Sequence, residues 1–403
     1  MHYVSIVFVS AKREKIKESQ LQGFKYFKAI SAMLENLHDA GCQRDRAGNR
    51  KLHMDQYMSL LLLYMFNPIC TSLRAVQQAS ELKKVQRKLG CPRASLGSLS
   101  EAATVFDSAL MQEIVTGMAD QLKPISSHAK LDDLAGILTA VGGTLINALS
   151  KMTWALWKKE QMAIKAHTQF DIQRHVPVKI TITDGNGDER EVLADNLESG
   201  RIYVKDRGYA SLALFQQILN NNSSFVCRVR DNAVYECLEE FELTDDALSA
   251  GIVFDKKVRL GCNDKTKKQL SVPIRLIAIK CTPHKKRYKI SRGGPEQGEM
   301  LLIATDMFDL QTDVIALIFR HRWAVEIFFR FFKHVLGCRH LLSYNQNGIE
   351  LQTYAAIIAC MLIALWTGRR PTLRTYEMLC WYFTGMADEE ELMAHIAHLQ
   401  KQN

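Results

Sequence analysis

Four charged residues recur at helical spacing in the segment from Ile318 to Gly337. Arg322, Glu326, Arg330 and Lys333 follow one another at steps of 4, 4 and 3 residues, which places all four on one side of an α-helix. Bulky apolar residues fill the positions between them and would bury the rest of the helix surface. A carboxylate among three cations can ligate a divalent metal ion while its neighbours bind phosphate. The same spacing is also typical of a solvent-facing stripe of ion pairs.

A second carboxylate with a suitable position is Asp206. It follows the apolar run Ile202–Val204 and precedes Arg207 and Gly208. An acid at the end of a strand, where glycine lets the chain turn, is a common metal ligand; the alternative is a turn aspartate that caps the next helix. Held together, Asp206 and Glu326 could bind Mg²⁺ against a phosphodiester, where the ion polarises the phosphate and activates water.

Composition limits the class of protein. The 403 residues suffice for two or three domains, and a net charge of +9 with a pI near 9.0 favours a polyanionic partner. The ten cysteines show neither CxxC nor a zinc-ligand spacing, which indicates reduced, mostly buried thiols in a cytosolic protein. P-loop, GxSxG and HExxH motifs do not occur, so ATP-driven motors, serine hydrolases and zincins lack support.

Two apolar runs bear on membranes. The opening MHYVSIVFVSAK lacks the basic start and cleavage site of a signal peptide and is predicted to be a short strand or an irregular start. The run from Tyr354 to Trp366 is too short to span a bilayer and is predicted to be a buried helix.

Residues 1–130 are predicted to form a helical DNA-binding domain, with a purely structural helical cap as the alternative. Met54–Phe66 is a dense apolar helix ended by Asn67-Pro68, and 71–89 is a second helix with cations near its end. Ser98 and Glu101 have the spacing of a capping box. The segment RASLGSLSEA around them could form the turn and second helix of a helix-turn-helix unit.

From about residue 134 the periodicity changes to that of strands. Three strands, a crossover, a strand and a helix predict an α/β fold with a ribonuclease-H-like core in 131–230 and 310–345. Residues 231–309 are predicted to be a β-rich insertion, and 346–403 a C-terminal helical region. DGNGDE (184–189) has the alternating oxygens of a calcium loop but lacks its later bidentate glutamate, which favours a hairpin turn.

The chain resembles the DDE transposases of bacterial insertion sequences, in the class with the Tyr-Arg-Glu-Lys signature (insertion sequence 4 type). That signature has the spacing Y-x2-R-x3-E-x6-K. Phe319, Arg322, Glu326 and Lys333 stand at this spacing here, with phenylalanine in place of tyrosine. The segment YVKDRGYAS around Asp206 resembles the second-aspartate motif of the family.

The resemblance implies a transposase that binds the terminal inverted repeats of a transposable element and performs DNA transposition, a form of DNA recombination, by cleavage and strand transfer. It implies Mg²⁺, with Mn²⁺ as a substitute, on Asp206 and Glu326, and phosphates held by Arg322 and Lys333. The implied partners are double-stranded DNA, at element ends and target, and a second copy of the chain in a homodimer. The implied location is the bacterial cytoplasm, at the nucleoid and not at a membrane.

One position departs from the family. The first aspartate normally stands in Asp-Gly-Thr, and the matching stretch from Val141 to Thr144 places Gly142 there. Since glycine supplies no ligand, a catalytically dead DNA-binding relic or competitor of an active transposase is the alternative function. A magnesium nuclease with an unidentified third acid is a further one. Trp323 is predicted to lie in the core, with stacking on a base as the alternative, and His167 to be structural, with a place behind the metal ligands as the alternative.

Overall fold

The computed structural model describes residues 34–40, 44–46, 48–125, 128–148, 151–158, 161–261, 270–280, 300–337 and 341–401. Several predicted features lie outside these residues: the strand predicted at the N-terminus, most of 15–37, whose basic and apolar residues alternate at helical spacing, and the segment KRYKI (286–290), whose residues predict a short strand. Cys42, Cys262, Cys281 and Cys338 also lie outside them. Of the cysteines within them, five are buried and Cys237 is exposed, and all six are unbridged.

The helices of the described residues fall before, between and after the strands. They are α1 (Leu37–Ala40), α2 (Met54–Phe66), α3 (Leu73–Ser80), α4 (Lys83–Leu89), α5 (Leu96–Val105), α6 (Met111–Gln121), α7 (Ala129–Asp132), α8 (Glu189–Ala194), α9 (Leu212–Asn220), α10 (Asp245–Ser249), α11 (Thr312–His321), α12 (Trp323–Gly337), α13 (Gln346–Thr367), α14 (Leu373–Thr384) and α15 (Glu389–Lys401).

The strands of the described residues belong to one sheet. They are β1 (Ile137–Asn147), β2 (Leu156–Lys158), β3 (Gln161–Asp171), β4 (Val176–Asp184), β5 (Arg201–Lys205), β6 (Ser224–Val229), β7 (Tyr235–Glu240), β8 (Ile252–Leu260), β9 (Ile274–Lys280) and β10 (Met300–Thr305).

The first half of the sheet has the ribonuclease-H-like arrangement predicted from the sequence. β3 pairs antiparallel with both β4 and β1, and β1, β5 and β6 run parallel to one another. α8 precedes β5, and α9 makes the crossover from β5 to β6. The carboxyl ends of the parallel strands therefore meet at one edge, where Asp206 follows β5. The α/β fold class is confirmed.

The β-rich segment continues this sheet. β10 pairs antiparallel with β6, and β9, β8 and β7 follow in that order. One buried hydrophobic cluster contains Tyr203 and Phe225 of the first half together with Val258, Ile274 and Leu276 of the second. The two halves of the sheet thus share a core on this face.

On the opposite face, N-terminal and C-terminal helices pack around one another. Almost every residue of α2 is buried, and it contacts α13, which also packs on β4 and α6. At 22 residues α13 is longer than the predicted apolar run, and its length and hydropathy would suffice to cross a membrane. However, 89% of its apolar window is buried inside the fold, so α13 is a core helix.

Two predicted details of the N-terminal helices were wrong. The N-cap of α5 is Ser95, three residues before the predicted cap Ser98, because Ser95 has an extended backbone and its Oγ accepts the amide of Ser98 at 3.0 Å. The predicted helix over 71–89 is divided into α3 and α4, which meet at Glu81 and Leu82.

The turn DGNGDE joins β4 to α8 and is not the hairpin that the sequence suggested. Asp184 accepts the amide of Asn186 at 2.9 Å and closes the turn. Asp188 then caps α8, since its Oδ1 accepts the amides of Arg190 and Glu191.

Candidate DNA-cleavage site

The strand pairing brings Gly142 beside Asp206. In the parallel pair β1–β5, Leu138 lies opposite Ile202 and Ala140 opposite Val204. Continuing this register by two residues places Gly142 opposite Asp206. Because side chains alternate along a strand, both positions face the same side of the sheet as Ala140 and Val204, which belong to the helix-covered core.

Asp206 occupies the turn that follows β5. Its backbone is extended, and its Oδ1 accepts the amide of Gly208 at 2.8 Å, which caps a single turn over Arg207–Tyr209. The capping role considered from the sequence is therefore present. A carboxylate has more than one acceptor site, so the cap leaves Asp206 able to take a further ligand.

The predicted helix from Ile318 to Gly337 is divided at Arg322. The amide of Arg322 donates to the carbonyl of Phe319 at 3.1 Å, and the amide of Val325 donates to the carbonyl of Arg322 at 3.3 Å. These three-residue bonds form a tight turn between α11 and α12. Arg322 is thus set at the start of α12, where its guanidinium lies 3.3 Å from the Glu326 carboxylate.

The Arg322–Glu326 pair is partly open to solvent. The Glu326 side chain is 39% exposed and that of Arg322 13%. Glu326 therefore has access to solvent on one side and a cation on the other.

The α11–α12 junction lies over the ends of β5 and β6. Burial raises the pKa of Cys227 to about 12, and the charges of Asp206 and Arg322 act on this thiol with opposite signs. Burial also raises the pKa of Tyr209 well above its ordinary value, with Glu189 next in effect; Asp206 raises it further and Arg322 lowers it. Asp206 and Arg322 are thus close enough to act on the same two buried groups.

The space above Gly142 is occupied by α12. A Cβ at this position would lie 3.1 Å from Cε2 of Phe329 and 3.4 Å from Cγ1 of Val325. Position 142 therefore faces the helix that carries Glu326. Phe329 is buried, so its ring edge partly fills the place where a side chain at 142 would begin.

The carboxylates of Asp206 and Glu326 are the donor set that the sequence predicts for this site. Paired metal ions, about 3.5–4 Å apart, generally need three or more carboxylates to offset their charge. Two carboxylates on separate elements fit a single divalent ion and do not fit a pair. Gly142 is the position at which the third would stand.

Two further cations lie along α12, and Phe319 lies near the end of α11. Lys333 and Arg330 are exposed, and Phe319 is partly buried against the helix-covered core. Trp323, predicted to lie in the core, is 50% exposed, because it follows the turn at Arg322 and points away from the packed side of α12. Arg322 stacks on its ring at 5.8 Å from the centroid. Phe319, Arg322 and Trp323 line a groove of about 950 Å³ that Lys280 and Lys130 border from other elements.

The sequence did not single out two charged groups near this site. Glu189 lies on the opposite face of β1, where a Cβ at Gly143 would come within 2.8 Å of its Oε1, and it pairs with Lys165 at 2.9 Å. Lys205, next to Asp206, is fully buried and makes no hydrogen bond within the described residues. Its ammonium lies 4.8 Å from the centroid of the Phe215 ring, and burial lowers its pKa to about 8. The signal available in the sequence for this group was a lysine directly after the apolar run Ile202–Val204.

The position of His167 fits the structural role predicted for it. It is buried on β3 opposite Gly143, and its Nε2 lies 2.9 Å from Oγ1 of Thr183. Burial, with Lys165 adding to it, lowers its pKa from 6.5 to about 4.

A pH dependence of stability follows. Above pH 6.5 His167 is neutral in both the folded and unfolded states, so the stability is complete. Between pH 6.5 and 4 only the unfolded state takes up the proton, and His167 alone should cost about 1.4 kcal/mol of unfolding free energy per pH unit. Urea denaturation at pH 7, 6 and 5 gives the slope of the unfolding free energy against pH. This slope should be smaller by that amount in His167→Gln than in the parent protein. The slope should be unchanged in His398→Gln, which alters an exposed histidine. Equal slopes of unfolding free energy against pH in the parent, His167→Gln and His398→Gln would contradict this account.

The fold is that of a ribonuclease-H-like α/β protein, with the carboxylate of Asp206 after a central strand and that of Glu326 on a helix. The family model described as the transposase DDE domain matches residues 136–362, which is more than half of the chain. The chain belongs to the DDE-domain transposase family. Members of this family use divalent metal ions.

Three transposases are similar to the chain in sequence. A putative transposase, y4zB, of Sinorhizobium fredii is 25% identical over 214 residues, which are 53% of this chain and 56% of that protein. A probable transposase for the insertion sequence element IS5377 of Geobacillus stearothermophilus is 23% identical over 53% of this chain and 52% of that protein. A putative transposase for the element IS4SA of Synechocystis is 21% identical over 67% and 71%. The matches span about half the length of the first two relatives.

A comparison with solved structures finds the piggyBac transposase in a synaptic complex with hairpin DNA. It has 12% sequence identity and a TM-score of 0.43, over 93% of this chain and 84% of that one.

Proposed function

We propose that this protein is the transposase of an insertion sequence. It binds the terminal inverted repeats of the element, cleaves phosphodiester bonds there with Mg²⁺, and joins the freed 3′-hydroxyl to target DNA. The observation that carries the proposal is the register of β1 and β5. It sets Asp206 beside position 142, on the sheet face covered by the helix that bears Glu326.

The roles of the charged residues follow from their chemistry. Asp206 and Glu326 would hold one Mg²⁺, with Mn²⁺ as a substitute; such an ion polarises a phosphate oxygen and lowers the pKa of bound water. Arg322 presents a planar fork of donors suited to a phosphate. Lys333 presents a mobile point charge on the same side of the helix, further along α12. Phe319 retains the ring of the family's tyrosine without its hydroxyl, so it can pack but cannot donate to a phosphate.

The proposed partner is double-stranded DNA. The net charge of +9 favours a polyanion, and the exposed cations of α12 continue the groove beside Trp323. Residues 1–130 would bind the inverted repeat and 131–230 with 310–345 the scissile bond. A homodimer that holds two ends together, at the nucleoid of a bacterial cell, completes the proposal.

A second candidate is a protein that occupies element ends without cutting them. Gly142 favours it, because two carboxylates lack the charge and geometry to fix a metal pair and the ring of Phe329 lies over the third position. Such a protein would compete with an active transposase for the same DNA.

Binding and cleavage of a labelled inverted-repeat end distinguish the candidates. The transposase proposal predicts specific binding and slow cleavage with Mg²⁺ or Mn²⁺. Asp206→Asn should bind the DNA end with unchanged affinity, and its cleavage rate should be at least about ten-fold lower than that of the parent. The matched control is Asp195→Asn, which alters an exposed aspartate in the turn that ends α8 and should cut like the parent. Specific binding without any Asp206-dependent cleavage would support the second candidate, a protein that occupies element ends without cutting them. The absence of specific binding would contradict both candidate functions.

A further inference from the structure

A small cavity lies on the face of the sheet opposite α12, between β3, α8 and the turn that follows β5. It has a volume of about 10 Å³, which is about the space that one water molecule needs. The residues that line it include His167 and Gln169 of β3, and Tyr209. Tyr209 ends the single turn that Asp206 caps. The cavity therefore borders the element that holds the proposed metal ligand.

Three polar atoms on this face have no hydrogen bond within the described residues. They are Nδ1 of His167, Oε1 of Gln169 and the hydroxyl oxygen of Tyr209, and these residues are only 6%, 5% and 1% exposed. Thr168 has another, but strand alternation turns its side chain to the other face of β3. The Glu189 carboxylate lines the cavity and, after burial itself, raises the pKa of Tyr209, but it is not a hydrogen-bond partner of the hydroxyl. Buried polar atoms are almost always paired with protein or with ordered water, so three around one small space indicate a shared partner.

The hydrogen bonds around the cavity decide which of these atoms accept. The Thr183 hydroxyl donates its only hydrogen to the carbonyl of Asp184 at 2.8 Å, so it can only accept from His167. Nε2 of His167, 2.9 Å away, therefore carries the proton, and Nδ1 of the neutral ring has a lone pair. Gln169 donates from Nε2 to a backbone carbonyl at 2.8 Å, which leaves Oε1 as an acceptor. The Tyr209 hydroxyl has a hydrogen to donate.

Two acceptors and one donor are the complement of a water molecule that donates twice and accepts once. We propose that one ordered water molecule occupies this cavity, bridges His167 and Gln169 to the Tyr209 hydroxyl, and so makes Tyr209 a positioning residue for Asp206. Three hydrogen bonds are typical of a buried water molecule. The positioning role rests on the proposed function, in which Asp206 ligates a metal ion, whereas the water site does not.

The bridge acts on Asp206 through the turn between them. The amide of Tyr209 donates to the carbonyl of Asp206 at 3.2 Å, and the Asp206 carboxylate accepts the amide of Gly208. The turn is thus tied to Asp206 at its start, and the water ties its end to β3. In turn, β3 pairs with β1, the strand that carries Gly142. Fixing the turn limits the directions in which the carboxylate points, as hydrogen-bonded neighbours do for metal ligands generally.

A crystal structure tests the water site directly, and its result is independent of the proposed function. The crystals would contain the full-length protein without metal or DNA and diffract to a resolution that shows ordered water. The expected density is one peak within about 3.2 Å of Nδ1 of His167, Oε1 of Gln169 and the Tyr209 hydroxyl. Crystals of Tyr209→Phe should lose or displace this peak. A dry cavity, or a Tyr209 hydroxyl bonded directly to Glu189, would overturn the proposal.

Mn²⁺ affinity tests the positioning role without DNA or cleavage. Electron paramagnetic resonance of the full-length protein gives the dissociation constant of the site that Asp206→Asn should remove. Tyr209→Phe deletes only the hydroxyl and should weaken Mn²⁺ binding about ten-fold, which is the usual effect of losing a partner behind a metal ligand. The matched control is Tyr354→Phe, since the Tyr354 hydroxyl lies 3.3 Å from Gln112 on α6, away from the cavity. It should bind Mn²⁺ like the parent.

Two substitutions of His167 separate the water bridge from a packing role. Asparagine places its amide oxygen near the position of Nδ1, so His167→Asn retains an acceptor for the water and should bind Mn²⁺ nearly like the parent. Glutamine reaches the position of Nε2 instead, so His167→Gln retains the bond to Thr183 but should bind Mn²⁺ as weakly as Tyr209→Phe. Equal weakening in the two variants of His167 would indicate packing alone and overturn the bridge.

The outcomes also separate the positioning role from the proposed function. If Asp206→Asn weakens Mn²⁺ binding and Tyr209→Phe does not, the positioning role is wrong while the metal site stands. Unchanged Mn²⁺ binding in Asp206→Asn would contradict the proposed function and the positioning role with it. The crystal structure would still decide the water site.

Discussion

Gly142→Asp is expected to increase Mg²⁺-dependent cleavage of an inverted-repeat end about a hundred-fold or more over the parent protein. The substitution supplies a third carboxylate at the strand position opposite Asp206, on the face covered by α12. Removing one member of a catalytic unit generally costs several powers of ten in rate, so restoring one can recover a comparable factor. Single-turnover cleavage of end-labelled DNA, with binding measured in the same samples, gives the change in rate separately from affinity.

The structure also predicts what the substitution costs. A Cβ at 142 would stand 3.1 Å from the Phe329 ring, so that ring must move by a few tenths of an ångström, and the new carboxylate starts beside apolar side chains. Gly142→Asp alone should therefore lower the melting temperature in the absence of metal. Adding Mg²⁺ should recover part of the loss, because an ion that binds only the folded state stabilises it.

Two further variants make the outcome specific. Gly142→Asn has nearly the same size as the aspartate variant without its charge, and it should bind DNA but remain as slow as the parent. Gly142→Asp combined with Phe329→Leu relieves the contact and should cleave at least as fast as Gly142→Asp alone. If Gly142→Asp binds DNA and cuts no faster than Gly142→Asn, then position 142 is not where a third ligand acts.

The sequence could predict the elements more readily than their relations. The apolar runs of 137–147 and 201–205 with turns after them are strong strand signals, and their order predicts an α/β core because such connections are short and regular. The Asn67-Pro68 stop likewise placed the end of α2. These are local properties of the chain, and the structure confirms them.

The relations depend on partners that the local sequence does not name. The predicted insertion could not be seen to continue the sheet, because the pairing of β10 with β6 joins residues more than 70 positions apart. The single helix predicted over 318–337 breaks at Arg322 through three-residue hydrogen bonds that no proline or glycine announces. The exposure of Trp323 follows from that turn. An apolar residue in an apolar helix gives no warning of it.

The candidate site shows the same limit. Spacing alone grouped Arg322, Glu326 and Lys333, since helix geometry converts sequence steps into one face. That Gly142 lies opposite Asp206 requires the register of two strands about 60 residues apart, and that Phe329 covers it requires the docking of α12 on β1. Neither property is written in a local pattern.

Arg275→Met is expected to destabilise the protein by about 3–5 kcal/mol, because it would leave a buried carboxylate without its cation. Asp255 and Arg275, on β8 and β9, have side chains only 1% and 6% exposed. Arg275 binds both oxygens of Asp255 and donates to the carbonyls of Met307 and Leu310. Thr312, the first residue of α11, bonds to both partners. The pair therefore fixes the loop through which the chain enters the signature helices.

A surface pair of similar geometry provides the control. Arg259 on β8 lies 2.8 Å from Glu236 on β7, but both side chains are 52% exposed, so Arg259→Met should cost no more than about 1 kcal/mol. Urea unfolding of the two variants beside the parent gives the difference. Asp255→Leu combined with Arg275→Met should recover part of the stability, since it removes the stranded charge. Equal losses in Arg275→Met and Arg259→Met would contradict the buried-charge account. Cleavage by the folded fraction of each variant gives a further comparison. If folded Arg275→Met cuts DNA more slowly than folded Arg259→Met, then strands β8 and β9 position α11 and α12 as well as stabilise them.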